Sequence, residues 1–235
     1  IRLSLIPVLV IIHSSDVLTI FSNATGGKID GFTINNTVTV NNAQVISVRP
    51  VNNFTISNNK FNQSGTNDII NLWGSDNNPI SNITIKNNLF VNNGLSLAIG
   101  HYYSKDSIIS NNIFIGRGIW INTGSQGGTV LNNTFYNSDN IGIGDDVITG
   151  YSYTIKNNIF YNANSTSTIA VTCNNSAQIQ ITLSYNCFFN TSNKTDCGTS
   201  SNDYSTDPLF ADPANYDFHL KSKGGRYENG TIVYD

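Results

Sequence analysis

One hexapeptide returns along this chain: ISNNKF at 56–61, IKNNLF at 85–90, ISNNIF at 109–114, VLNNTF at 130–135, IKNNIF at 155–160 and LSYNCF at 183–188. Its Phe falls at 61, 90, 114, 135, 160 and 188, so the interval between copies is never constant yet always close to two dozen positions. Self-similarity at such a period marks a solenoid, in which each repeat buries its apolar face only against its neighbours. A degenerate copy, INNTV at 34–38, reads as lying one period upstream.

Within each copy three residues can face the same way: the Ile, Val or Leu three places before the second Asn, that Asn, and the Phe two after it. Lys60, Lys86 and Lys156 then fit outward places. Between the copies lie second apolar runs: DIINLWG (68–74), LSLAIGHYY (95–103), GIWINTG (118–124), IGIGDDVI (141–148) and STIAVTC (167–173). None shows the 3.6-residue periodicity of a helix. Each period therefore reads as two or three short strands joined by Gly- and Asn-rich corners. Leucine-rich repeats are the rival, but they need Leu at most inward sites and a helical or 3₁₀ return, whereas this chain uses Ile, Val and Phe.

The pattern predicts an all-β fold, a single-stranded parallel β-helix of about nine coils, each of 21–29 residues. At a spacing of ~4.8 Å the coils would make a rod about 45 Å long. Asn59, Asn88, Asn112, Asn133, Asn158 and Asn186 would stack into a column, each amide donating to the carbonyl above, with the Phe column buried beside it. One domain is expected over 1–235, with opening coils at 1–33, regular coils at 34–190, and a closing coil with a C-terminal extension at 191–235.

Charged residues make up 11% of the chain, so its polar surface must come from 38 Asn, 25 Ser and 22 Thr. A disordered polar tract is excluded because the apolar residues recur at fixed places. The net charge of −3 and four arginines argue against a nucleic-acid partner, which needs a basic stripe to displace counterions. With no Met, even at position 1, the chain reads as a piece of something longer. The opening IRLSLIPVLVIIHSSDVLTI has two readings. It is the remnant of a signal peptide, with Arg2 before an apolar run and Ser14-Ser15 near a cleavage point, or a first pair of buried strands, which Pro7 and the β-branched residues favour. The run is too short to span a membrane.

The repeat resembles those of right-handed parallel β-helices of the pectate-lyase-like superfamily, over nearly the whole chain. KIDGFTI (28–34) is similar to the first coil of many secreted members, and DPLFADPANYDFHLKSKGGR (207–226) resembles a closing coil of large archaeal and bacterial cell-surface proteins, the archaeal type above all. That resemblance implies the fold and leaves the activity open, since one scaffold carries many functions.

Three constellations bear on chemistry. GIGDDV (142–147) resembles the GDD of β-helical polygalacturonases, whose paired carboxylates act as acid and base. That family also has an Asp in an NTD triplet one coil earlier; here the triplet is NTG, with Gly124 in its place, and no matching His or Arg/Lys motif follows. Asp145 and Asp146 would point to opposite faces of a strand. Pectate-lyase-type elimination, which needs a Ca²⁺-binding carboxylate cluster, finds no cluster in the sequence. The third is geometric: counted from the ladder Asn of their own coils, Trp73, His101 and Asp146 fall at nearly the same place, with Tyr102, Tyr103 and Trp120 nearby. Aligned, they would form a glycan-binding stripe down one side of the rod. His101, Asp145 and Asp146 are the candidate catalytic residues.

Three cysteines lie after residue 170, enough for one internal disulfide. Cys173 and Cys197 are separated by one period; Cys187–Cys197 is the rival pairing, and reduced thiols a third state. A disulfide fits an extracytoplasmic setting. No Cys/His spacing suits a metal, and neither metal nor cofactor is expected. Sequons occur at Asn23, Asn35, Asn53, Asn62, Asn82, Asn132, Asn164, Asn174, Asn190, Asn193 and Asn229; eleven is a mild excess over the roughly eight that this composition gives by chance.

Two functions follow as expectations. The first is an extracellular or cell-surface structural or adhesive protein that binds polysaccharide or other surface glycans and meets flanking domains or copies of itself head to tail, in a filament or sheath. The second is a lyase or glycosidase acting on acidic, uronic-acid glycans, as archaeal disaggregatases, similar β-helical proteins, act on a chondroitin-like matrix.

Overall fold

The computed structural model describes residues 9–12, 18–20, 25–37, 44–94, 96–144, 147, 150–161, 169–174, 180–191, 193–221, 226–228 and 231–233. Each period closes into one turn made of three short strands. In one turn these are Thr55–Ser57, Lys60–Gln63 and Ile70–Trp73; in the next, Thr84–Lys86, Leu89–Asn92 and Ile99–Tyr102. Like strands stack in parallel into sheets of nine, eight and eight strands, called here the threonine, phenylalanine and tryptophan sheets. Thr84 pairs with Thr55, Phe90 lies between Phe61 and Phe114, and Trp73 pairs with Tyr102. The parallel β-helix is as the repeat predicts. Turns number about six rather than nine, matching the six copies of the hexapeptide.

Two columns run through the bore. The rings of Phe61, Phe90, Phe114, Phe135, Phe160 and Phe188 stack with centroids 4.8–5.1 Å apart and planes within 10° of parallel. Beside them the six asparagines form the expected ladder, with a richer pattern of bonds. Asn112 Oδ1 accepts both the backbone N–H and the side-chain amide of Asn88, at 2.9 and 3.0 Å. Asn112 Nδ2 donates onward to Asn133 Oδ1 and back to the Ile85 carbonyl, at 3.1 and 2.9 Å. Every buried polar atom of this carboxamide thus has a partner, as burial requires.

The first Asn of each pair does separate work. Asn58, Asn87, Asn111, Asn132 and Asn157 all have φ between 54° and 57°, the left-handed region. Most L-residues lose about 1–2 kcal/mol there, and Asn is among the few that enter it routinely. One asparagine turns the corner and the next is bonded beneath it. Tyr185 takes the same conformation where the pair has become Tyr-Asn.

The register moves the upstream copy. Ile34 lies opposite Phe61, so Asn35 and Asn36 sit opposite Asn62 and Gln63 and INNTV is not a ladder copy. KIDGFTI is: Asp30 lies opposite Ser57, Gly31 (φ 78°) takes the corner, and the Phe32 N–H donates to Asn59 Oδ1 at 2.9 Å.

At the other end both columns stop at charges. Asp203 takes the next ladder place, accepting the Asn186 N–H at 3.0 Å. Its other oxygen lies 3.6 Å from Lys194 Nζ, which sits 5.7 Å from the ring centroid of Phe188. The last turn is tied to the one before by Cys173–Cys197, the pairing one period apart, while Cys187 is a free thiol donating to the Thr206 carbonyl at 3.3 Å.

The described residues of 207–226 do not close a coil. Phe210–Asp212 and Asp217–Leu220 form an antiparallel hairpin folded back over the outer face of the phenylalanine sheet. That face is itself apolar, carrying Val91, Ile115, Tyr136, Tyr161 and Phe189 in register. Phe210 and Phe218 pack edge-on against Tyr136, at 6.0 and 5.1 Å, and Lys60 lies 5.0 Å from the Tyr216 ring. A parallel sheet buried on both faces needs such a cover. Among the described residues no helix is long and apolar enough to cross a membrane.

Candidate functional site

Strands of the tryptophan sheet alternate strictly. Leu72, His101, Ile121, Ile143 and Cys173 share one inward column, while Trp73 and Tyr102 pair outside. This corrects the expected stripe. Counted from the ladder Asn, Trp73 stands one place further along its coil than His101 does, and in a strand a slip of one inverts the face. His101 is 4% exposed, its Nδ1 2.6 Å from Ser104 Oγ and its Nε2 without a partner. Burial lowers its pKa to about 4, so the ring is neutral. It lies inside the bore, away from the outer face on which the stripe was expected. Asp145 and Asp146 lie outside the described residues.

What faces outward is a set of side chains resting on glycines. The row Asn71, Gly100, Trp120, Gly142, Thr172 runs up the sheet. A methyl group on Gly142 would overlap the indole of Trp120, so the ring lies over that bare α-carbon. The Asn122 amide covers Gly144 in the same way, and the Tyr103 ring covers Gly124. GIG at 142–144 is thus a floor whose lack of side chains leaves room for Trp120 and Asn122. Tyr103 and Trp120 are surface platforms, partly exposed, not core. Gly124 also accounts for the departure from the polygalacturonase triplet: at φ 70° and under Tyr103, that position has no room for a carboxylate side chain.

Trp73 and Tyr102 stand differently. Their rings stack at 4.8 Å with a 35° tilt, and Arg49 on the preceding coil lies 5.9 Å from the Trp73 centroid. Stacked along the axis, they present edges to the flank of the rod, although Trp73 remains 43% exposed. The Tyr102 ring leans over Gly100, where Asp68 and Asn71 also converge. Sequence reasoning passed over Asp68. Its Oδ1 accepts the Leu97 N–H at 3.1 Å and its Oδ2 the Asn71 amide at 3.3 Å. Burial raises its pKa, and burial together with the Asp68 charge raises that of Tyr102. The signal in the sequence was weak: one Asp three places before an outward Asn.

Among the described residues one group of three potential metal ligands gathers, Cys173, Asp196 and Cys197, and the disulfide consumes both sulfurs. Asn53, Asn82, Asn132, Asn174, Asn190 and Asn193 are exposed. Asn35 and Asn62 are half-buried, and the Asn62 amide, where a glycan would be attached, donates to Asn35 Oδ1 at 2.5 Å. Asn23, Asn164 and Asn229 lie outside the described residues.

Residues 128–230 match the model of a family described as a domain of unknown function (DUF5123). The matched segment takes in Gly142, Gly144, the disulfide and the C-terminal hairpin, but neither Trp120 nor Asp68. No curated protein and no solved structure matches the chain.

Proposed function

We propose that the protein is an extracellular structural or adhesive β-helix whose tryptophan sheet binds a glycan. The observation that carries this is the pair of aromatic platforms, Trp120 over Gly142 and Tyr103 over Gly124, with the Asn122 amide between them. Partly exposed aromatic rings offer an apolar surface to the C–H side of a sugar, and an amide beside them fixes hydroxyls. The resemblance to pectate-lyase-like β-helices supports a polysaccharide ligand, and the disulfide supports an oxidising compartment. Trp120 and Asn122 lie on one coil, and Tyr103 of the coil before leans over Gly124 of that same coil, so the three groups form one patch on the sheet. Lys194 argues against a second copy stacking on the C-terminal end, since stacking would bury its half-exposed ammonium, while the Asp203 carboxylate is already buried.

The lyase or glycosidase reading is the alternative. Against it stand the burial of His101 and the absence of room at Gly124. Binding to immobilised glycans, compared between the wild type and Trp120→Ala, tests the first reading. Expected is binding lost in the variant, with no unsaturated product or new reducing end in either; turnover of a polyuronate by the wild type would favour the alternative.

A further inference from the structure

Around Gly100 three groups converge on one bare α-carbon. A Cβ there would lie 3.1 Å from Tyr102 Cε2, 3.2 Å from Asp68 Oδ2 and 3.5 Å from Asn71 Nδ2. Gly100 is also the register partner of Trp120 on the next coil, about 5 Å along the axis. The carboxylate and the indole platform are therefore within reach of two linked sugar rings.

The charge of this corner is one-sided. Asp68 has two neutral hydrogen-bond donors and no ion-pair partner among the described residues. Arg49, on the coil before that of Asp68, is turned to the Trp73 ring, 5.9 Å from its centroid, and forms no ion pair with Asp68. A half-buried carboxylate without a counter-ion accepts sugar hydroxyls strongly, because hydrogen bonds to an ionised acceptor are about twice as strong as neutral ones. The same carboxylate repels a second one, and partial burial strengthens that repulsion.

We infer that the tryptophan sheet selects uncharged hexopyranose chains and rejects uronates, with Asp68, steadied by the buried Asn71 amide, receiving the hydroxyls of one sugar while Trp120 carries its neighbour. This rests on the glycan-binding reading above and narrows its ligand class.

Affinity electrophoresis through gels of neutral polymers (β-glucan, mannan, galactan) and uronates (polygalacturonate, alginate) tests it on the wild type, Asp68→Asn, Gly142→Ala and Trp120→Ala. The expected result is retardation by at least one neutral polymer and by no uronate. Asp68→Asn should weaken neutral binding tenfold or more, and Gly142→Ala should abolish it by displacing the indole. If the wild type prefers a uronate and Gly142→Ala abolishes that binding, the glycan face stands and its selectivity for neutral sugars is overturned. If no polymer retards the wild type, both readings fall. Neutral binding that survives Asp68→Asn within twofold removes Asp68 from the site. Thermal unfolding of each variant guards against misfolding, and the wild-type preference decides even if Asp68→Asn does not fold.

Discussion

Adjacent asparagines in the repeat should differ sharply in what they contribute, and Asn111 and Asn112 allow a clean comparison. The Asn112 carboxamide makes four hydrogen bonds within a site 1% exposed. Asn112→Ala removes the acceptor of the Asn88 backbone N–H and one donor each from Ile85 O and Asn133 Oδ1. An unsatisfied buried polar group costs about 1–3 kcal/mol, so the loss should be about 3–5 kcal/mol. That is a large share of the roughly 5–15 kcal/mol that holds a typical domain folded. Asn111 is exposed and contributes mainly its tolerance of φ 54°. Asn111→Ala should cost about 1 kcal/mol, and Asn111→Gly close to nothing. Asn112→Asp should be no milder than Asn112→Ala, because the carboxylate that occurs naturally in this column, Asp203, stands beside Lys194 and position 112 has no such cation. Urea unfolding followed by circular dichroism measures the series. Equal losses at 111 and 112, or a larger one at 111, would refute the division of labour between the two asparagines.

Acid should weaken the fold through His101: its folded pKa of about 4 lies below the ordinary 6.5, so stability is whole above pH 6.5 and declines as pH falls towards 4. The full span is about 3 kcal/mol, and His101→Leu, matching Leu72 in its column, should flatten the slope in unfolding midpoints taken across that range. Reducing Cys173–Cys197, whose sequence separation is 24, should cost about 3 kcal/mol, and a thiol count on the unreduced, unfolded chain should find one free sulfhydryl. Phe210→Ala should loosen the hairpin from Tyr136 and Tyr161, lowering stability by about 3 kcal/mol and raising binding of an apolar dye; an unchanged dye signal would show that the hairpin does not shield the sheet.

Stacking was legible in the sequence because it is periodic: the six ladder asparagines and six phenylalanines recur, and recurrence needs no knowledge of what lies opposite. The same period offered Cys173–Cys197 as one of two pairings, and the structure decides for it. Features that depend on parity were harder. His101 looked equivalent to Trp73 until register counted the odd residue, and INNTV looked like a ladder copy although its Ile sits opposite Phe61. The hairpin over the phenylalanine sheet had a trace in the outward residues Val91, Ile115 and Tyr161, apolar where a single-faced sheet would carry polar groups. The glycine floor could not be read at all, since Gly142 and Gly144 matter for what lies above them a coil away.

The ion pair that terminates both inner columns has a consequence for how such a chain changes over time. Every turn between Asn59 and Asn186 hands its successor the same donors and acceptors that it received, so a whole turn can be duplicated or lost there and the seam still closes. Asp203 hands on nothing. Growth and shrinkage belong to the middle, and the tip is inherited intact.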